Sequence, residues 1–363
     1  MERSALQAGA IMTDQTHLHH GAHTADEAVL QHHGEHISDA KKKQSSQVSA
    51  FVIWLIITLV AGLFVFSYSL ALGDPQPSNV PVAVVGTAAS EVEQAANVDG
   101  RQVVLATSYP SISAATGAVN TQNEYGVVVV EGPNSRLIIS SASGPSVARV
   151  LEQLAPALAQ KLDVPALPLT DLHPMSTRDP NGTVFFYMTL AAVILGFVGM
   201  VQSETIATKL RWASEAWWGI ARAVCIGLVI VVVAGPVLQM ESPPLFPAWI
   251  VLAATSWSAG ATYAFFRLLV GKRWAMLPTW VLFVLVGDPS SGGAIATPLL
   301  PAPFSILGPL MPAGACVELL REITYFPDHF EAGPVIALAA WVVVTTLAWL
   351  GLHYRKHGWG APA

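Results

Sequence analysis

Three ionisable residues late in the chain, Glu318, Arg321 and Glu322, are close enough in sequence to pair on one helix, in a stretch that is otherwise largely apolar. Ionisable side chains near a membrane core are costly and often mark ion or substrate routes, although an outer interface accommodates the same trio. A second charged set, Glu204, Lys209, Arg211 and Glu215, alternates in sign between two apolar runs, with Trp212, Trp217 and Trp218 as interfacial anchors. This stretch, 202–218, can form a short amphipathic helix that docks a partner and transmits motion, or an ordinary surface loop. Seven of the eleven histidines (His17, His19, His20, His23, His32, His33 and His36) crowd the N-terminal tail. Neutral imidazole binds zinc, copper or nickel. No cysteine or carboxylate completes a ligand set there, and the polar composition reads as a disordered tail.

Other chemistries lack their residues. A nucleotide-binding loop needs GxxxxGK[ST], and Gly271-Lys272 has neither the preceding glycine nor the following Ser/Thr. No apolar span carries an HExxH, a Ser/His pair or paired aspartates. The sequence therefore predicts no catalytic residue, no cofactor and no metal centre: this chain is not expected to be an enzyme. The two cysteines, Cys225 and Cys316, do not make a disulfide framework.

The elements that hold these residues are set by hydrophobic spacing. Of the 363 residues, 53% are hydrophobic and only 12% charged, and the mean hydropathy is +0.51, outside the range of soluble domains. A net charge of −6 with no basic stripe argues against nucleic acid as a partner. A bilayer core about 30 Å thick needs roughly 20 apolar residues as helix. Phe51–Leu72 meets this without a charge, Thr183–Val201, Ala223–Leu238, Leu245–Val270 and Pro334–Leu352 come close or exceed it, and Trp274–Gly287 is a shorter sixth run. Phe51–Leu72 is too long and begins too far into the chain for a cleaved signal peptide, so it reads as an anchor. The basic residues Lys41, Lys42, Lys43, Arg267, Lys272, Arg273, Arg355 and Lys356 fall on one side of this six-span arrangement. By the positive-inside rule both termini are then cytoplasmic.

The expected layout is a polytopic α-helical membrane protein with six transmembrane helices and a small α/β extracytoplasmic domain between the first two. Its parts are a His-rich cytoplasmic tail (1–47), helix one (48–73), the α/β domain (74–182), a five-helix membrane domain (183–354) and a short cytoplasmic tail (355–363). In the α/β domain, Val80–Gly86, Arg101–Thr107, Tyr125–Glu131 and Leu137–Ser141 read as strands, the last two joined by the turn at 132–134. Ala88–Asn97, Ile112–Gln122 and Val147–Leu162 read as covering helices. Within the membrane domain the 288–326 segment is apolar yet interrupted by Pro289, Gly292, Gly293, Pro298, Pro301, Pro303, Pro309 and Pro312. Proline and its predecessor oppose helix. Irregular backbone survives at membrane depth only when packed in protein or lining a wet cavity. The segment is thus a candidate re-entrant or gating element, the alternative being a hydrophobic outer loop on the bilayer surface.

The order of one span, a VPVAVVG-led domain with its YGVVVV strand, then five spans resembles the ABC-2 type permease superfamily. Within it, the GDPSSGG…LLP…ILGPLMPAGACVELLR…TYF run at 287–326 is most similar to phage-infection-protein-like membrane proteins of bacteria. The resemblance covers roughly residues 48–355. Relatives carry Asn where this chain has Asp288, and the phage-infection proteins have a longer ectodomain. It implies a plasma-membrane exporter permease, two copies (a homo- or heterodimer) forming the pathway, a separate ATP-binding subunit, and an unknown substrate moved outward. A non-transporting envelope receptor or scaffold is the competing class. On the family reading, Pro289, Gly292, Gly293, Pro301, Pro309, Glu318 and Arg321 belong to the translocation or gating element. Glu204, Lys209, Arg211 and Glu215 belong to the cytosolic coupling loop.

Overall fold

A computed structural model describes residues 47–207 and 210–358. The His-rich tail and Lys209 lie outside the described residues. The chain divides within its first long helix, α1 (Gln47–Leu72), into a unit ending at Leu63 and one beginning at Phe64. In the first unit, the described residues are helical and expose Phe51, Trp54, Leu55, Ile57 and Leu59.

The second unit begins with the end of α1 and continues into a five-stranded mixed sheet of order β2-β1-β3-β4-β5: β1 (Val80–Val85), β2 (Val104–Ser108), β3 (Gly126–Val129), β4 (Arg136–Ile139) and β5 (Leu169–Asp171). Strands β1 and β2, β1 and β3, and β4 and β5 pair parallel, while β3 and β4 form an antiparallel hairpin. The near-continuous apolar runs follow from covering both faces. Val80, Val82 and Val84 point toward α2 (Ala89–Ala95) and α4 (Pro145–Lys161). Ala83 and Val85, one residue out of phase, point toward α3 (Ile112–Asn120). Strand β5 was not expected; it is three residues long with two exposed positions, and carries no apolar alternation to read.

The rest of the unit is helical: α5 (Val184–Ile206), α6 (Trp212–Val232, continued by a π turn, Val233–Val237), α7 (Leu245–Val270), α8 (Met276–Trp280, continued by a π turn, Val281–Gly287), α9 (Ala302–Leu307), α10 (Pro312–Tyr325) and α11 (Ala332–His357). Among the described residues four helices are long and apolar enough to cross a membrane: α1, α5, α6 with its π turn, and α11. A fifth results if the bent pair Ala302–Leu310 and Pro312–Tyr325 counts as one span. The expected six are not reached on these criteria. Met276–Gly287 is too short, and α7, at 26 residues, is not among the four.

Helix α7 sits among the other helices of the bundle. It packs against α5, α6, α10 and α11, so its middle is built from small and hydroxylated residues rather than lipid-facing ones. Thr255, Ser258 and Thr262 are buried and donate to the carbonyls of Val251, Thr255 and Ser258 at 2.7–2.8 Å. A Cβ on Gly196 of α5 would lie 2.2 Å from the Ser256 carbonyl oxygen, so glycine permits the two backbones to meet.

Helix α6 begins at Trp212 rather than at the expected Ala223. Its first turns contain Glu215 and Arg222, which hide the helix from hydropathy but are satisfied by neighbouring helices. Arg222 is half-buried at the contact between α6 and α5. It donates to Ser203 Oγ at 2.7 Å and Met200 Sδ at 3.2 Å on α5, with its side chain laid across Gly199.

Candidate functional site

The broken segment is built from helix that loses its register. After α8 the π turn ends with the Asp288 amide donating to Phe283 O at 2.7 Å, the widened ladder that π geometry imposes. Ser67 Oγ on α1 donates to the carbonyl of Leu285. Beyond Gly287 no regular helix forms until Ala302, apart from a 3-10 turn at Thr297–Leu299. Asp288 to Gly293 are nonetheless all buried. The amides of Ser290 and Ser291 still donate to Val286 O and Asp288 O, both at 3.2 Å, and their hydroxyls add a second bond to each of these carbonyls at 2.7 Å.

Further along, the mixed sheet's domain supplies partners. Ala296 N donates to Ser146 Oγ at 2.9 Å, Ser78 N donates to Pro298 O at 3.3 Å, and Ala296 and Leu299 join the core formed by α2, α4 and the sheet. Irregular backbone here is sheltered by protein, as the hydrogen-bond requirement demands. The chain then bends by 72° between Ala302–Leu310 and α10. The bend is packed backbone on backbone: a Cβ on Gly308 would sit 2.0 Å from Ser290 O, and one on Gly314 would sit 2.0 Å from Gly308 O.

The predicted gating residues separate into two groups. Pro289, Gly292, Gly293 and Arg321 are buried in the segment's interior, while Pro301 is half-buried and Pro309 exposed. Arg321 donates to Glu318 Oε2 at 2.9 Å and to the Gly292 carbonyl at 3.3 Å, so a side chain of α10 holds the glycine turn. Glu322 does not pair with Arg321. Adjacent residues on a helix point about 100° apart, and Glu322 Oε1 instead accepts from the Glu331 amide at 2.7 Å. A cavity of about 510 Å³ lies beside this turn, bounded by Tyr125, Pro309, Leu310, Glu318, Glu331 and Ile336 among others.

The other charged set is also rearranged. Helix α5 ends at Ile206 and α6 begins at Trp212, and among the described residues between them, Ala207, Leu210 and Arg211, there is no separate helix. Glu204 belongs to the last turn of α5 and Glu215 to the first turns of α6. Both are buried against α7: Arg267 holds Glu215 with two hydrogen bonds, at 2.7 and 3.0 Å, and approaches Glu204 at 3.9 Å. Tyr263 donates to Glu204 Oε2 at 2.8 Å, and Lys272 pairs with Oε1 at 2.9 Å. Arg211 is exposed at the helix start, its carbonyl accepting from Glu215 N. Nearby, His353 of α11 is fully buried, with neither ring nitrogen hydrogen-bonded. The sequence reading used Arg267 only to orient the chain; its position on the apolar helix α7 was the signal that it needs a buried partner.

A third polar contact was not anticipated. Glu241, in the turn between α6 and α7, is 3% exposed, and both its oxygens lie 2.6–2.7 Å from the Tyr325 hydroxyl. The same hydroxyl accepts from Ser176 N at 3.2 Å. One phenol thereby ties α10 to the α6–α7 turn and to the strap entering α5, whose first amides are capped by Asp179. Burial raises the Glu241 carboxyl to about 7, the Tyr325 hydrogen bond opposes the rise and the Asp179 charge adds to it. A carboxyl raised in the folded state favours folding below its unfolded pKa, and that advantage is lost as pH climbs through the folded value. The thermal midpoint of the solubilised protein is therefore expected to fall between about pH 5 and pH 8. Glu241→Gln should flatten that part of the profile. A gap between variant and wild type that stays constant across this range contradicts the assignment.

No family model, curated protein or solved structure matches the chain. Among the described residues no group of three or more His, Cys, Asp or Glu side chains is placed to hold a metal ion.

Proposed function

We propose that this chain is the membrane-spanning permease subunit of an ABC-2 type exporter, working as a pair of permease halves with a separate ATP-binding subunit in a bacterial plasma membrane. The reading takes six crossings, α7 and the α8 segment included, with both termini cytoplasmic and the mixed-sheet domain outside. One observation carries it. The stretch from Asp288 to Leu300 is largely buried without regular α-helix, is packed in part against the sheet domain, and borders a cavity. Irregular backbone at membrane depth persists where it is packed in protein or lines a wet cavity, and transporters place such elements at their routes. The Glu204–Glu215–Arg267 cluster joins the ends of three helices. It is the stiff point at which a nucleotide-driven push at residues 207–211 would reach the bundle.

The test is affinity purification of the tagged chain from native membranes in a mild detergent, followed by mass spectrometry. A P-loop ATPase recovered in near-equal amount is the expected result. Recovery of envelope proteins alone, together with unchanged efflux in a deletion strain, would favour the receptor or scaffold class.

A further inference from the structure

The geometry points to the cavity beside the 292–318 turn as a binding site for an organic monocation, a molecule with a charged nitrogen head and an apolar body. This goes one step beyond the permease reading, and rests on it only for the idea that the occupant is cargo. The cavity, about 510 Å³, is in the range that encloses a small organic molecule. Its charged lining residues are Glu318 and Glu331, and its lining includes no basic side chain. The nearby cation is already committed: Arg321 is 7% exposed and spends its guanidinium on Glu318 and the Gly292 carbonyl. Directly behind Glu331 lies Glu322, 3% exposed, with Oε2 lacking any hydrogen-bond partner. The lining is therefore negative: Glu331 has no salt-bridge partner among the described residues, and Glu318 shares its charge with Arg321 alone.

Anions are disfavoured on that ground. A divalent metal is disfavoured by the ligand geometry, because no three acidic or imidazole groups converge among the described residues. What remains favourable is a single delocalised or alkylated positive charge facing Glu318 and Glu331. The apolar wall of Pro309, Leu310, Pro334 and Ile336 then covers the body of the molecule. Tyr125 adds an aromatic ring to the same lining, a surface that attracts cations through its π face.

The test uses the full-length chain in detergent and ethidium as probe, followed by fluorescence polarisation against blank micelles. Saturable one-site binding is expected, weakened at least tenfold in E318Q/E331Q, where loss of Glu318 also leaves the Arg321 charge uncompensated. Ile336→Trp, which narrows the cavity without altering charge, should weaken binding by a similar factor. Glu152→Gln, on α4 away from the cavity, should leave it unchanged. Equal binding of the anionic dye fluorescein, or less than twofold change in both E331Q and Ile336→Trp, overturns the proposal; E331Q, at an exposed position, keeps the test valid if the double variant misfolds. Ethidium binding in a chain that yields no ATPase would leave this site standing and end the exporter reading. Export without ethidium binding would do the reverse.

Discussion

Replacing Arg267 with alanine is expected to remove about 3–5 kcal/mol of stability, enough to deplete the folded protein, because it strands a buried charge. Glu215 is 3% exposed and has both its oxygens on the Arg267 guanidinium. Without that partner its carboxylate loses two charge-assisted hydrogen bonds and cannot reach water. Glu204 keeps only Tyr263 and the exposed Lys272. The source of the loss is checked by removing both charges: Arg267→Met with Glu215→Leu leaves nothing unpaired and should recover most of the stability, since apolar replacements of buried pairs are often neutral or better. Arg267→Lys should fall between, because an ammonium cannot present the two-pronged contact. Fluorescence-detected size exclusion after a heat step reads all three. An R267A protein as heat-stable as wild type contradicts the account.

Gly308→Ala should be the most damaging single-methyl change in the broken segment. The added carbon would lie 2.0 Å from the Ser290 carbonyl oxygen, a backbone atom that cannot rotate away. Overpacking of this kind costs about 1–3 kcal/mol. Here the strain falls on a turn that also carries the close approach of Gly314. The expected result is a folded sheet domain with a loosened 288–310 segment, seen as faster thiol labelling of a Ser290→Cys reporter. Gly351→Ala, with nothing within 4 Å of the new carbon, is the silent comparison. Unchanged labelling in G308A would show that the contact does not hold the segment.

The legibility of this chain tracks how local each cause is. Phe51–Leu72 and Pro334–Leu352 were readable because length and apolarity are properties of one stretch, and the corresponding helices span Gln47–Leu72 and Ala332–His357. The strand runs VPVAVV and RLII were readable from β-branched composition. The break at Gly287-Asp288-Pro289 was readable because proline's constraint is carried by the residue itself. What escaped was long-range. Glu215 meets Arg267 across 52 residues, and Glu241 meets Tyr325 across 84. The expected pairing of Glu322 with Arg321 failed in the opposite sense: neighbours in sequence diverged around the helix, and the amide of Glu331 took the carboxylate. The start of α6 was misplaced because Glu215 and Arg222 lower hydropathy although partners on other helices hold them, Arg267 for Glu215 and Ser203 for Arg222.

The makeup of α7 bears on how the chain is assembled during synthesis. Its central hydroxyls and its single glycine, Gly260, are arranged for neighbouring helices rather than for acyl chains, so on the six-span reading it gains more from its neighbours than from lipid. Its preceding helix, α6, is long and apolar and reaches it through the short turn bearing Glu241. The two are therefore best delivered as a hairpin, with the later arrivals α10 and α11 closing around α7 afterwards.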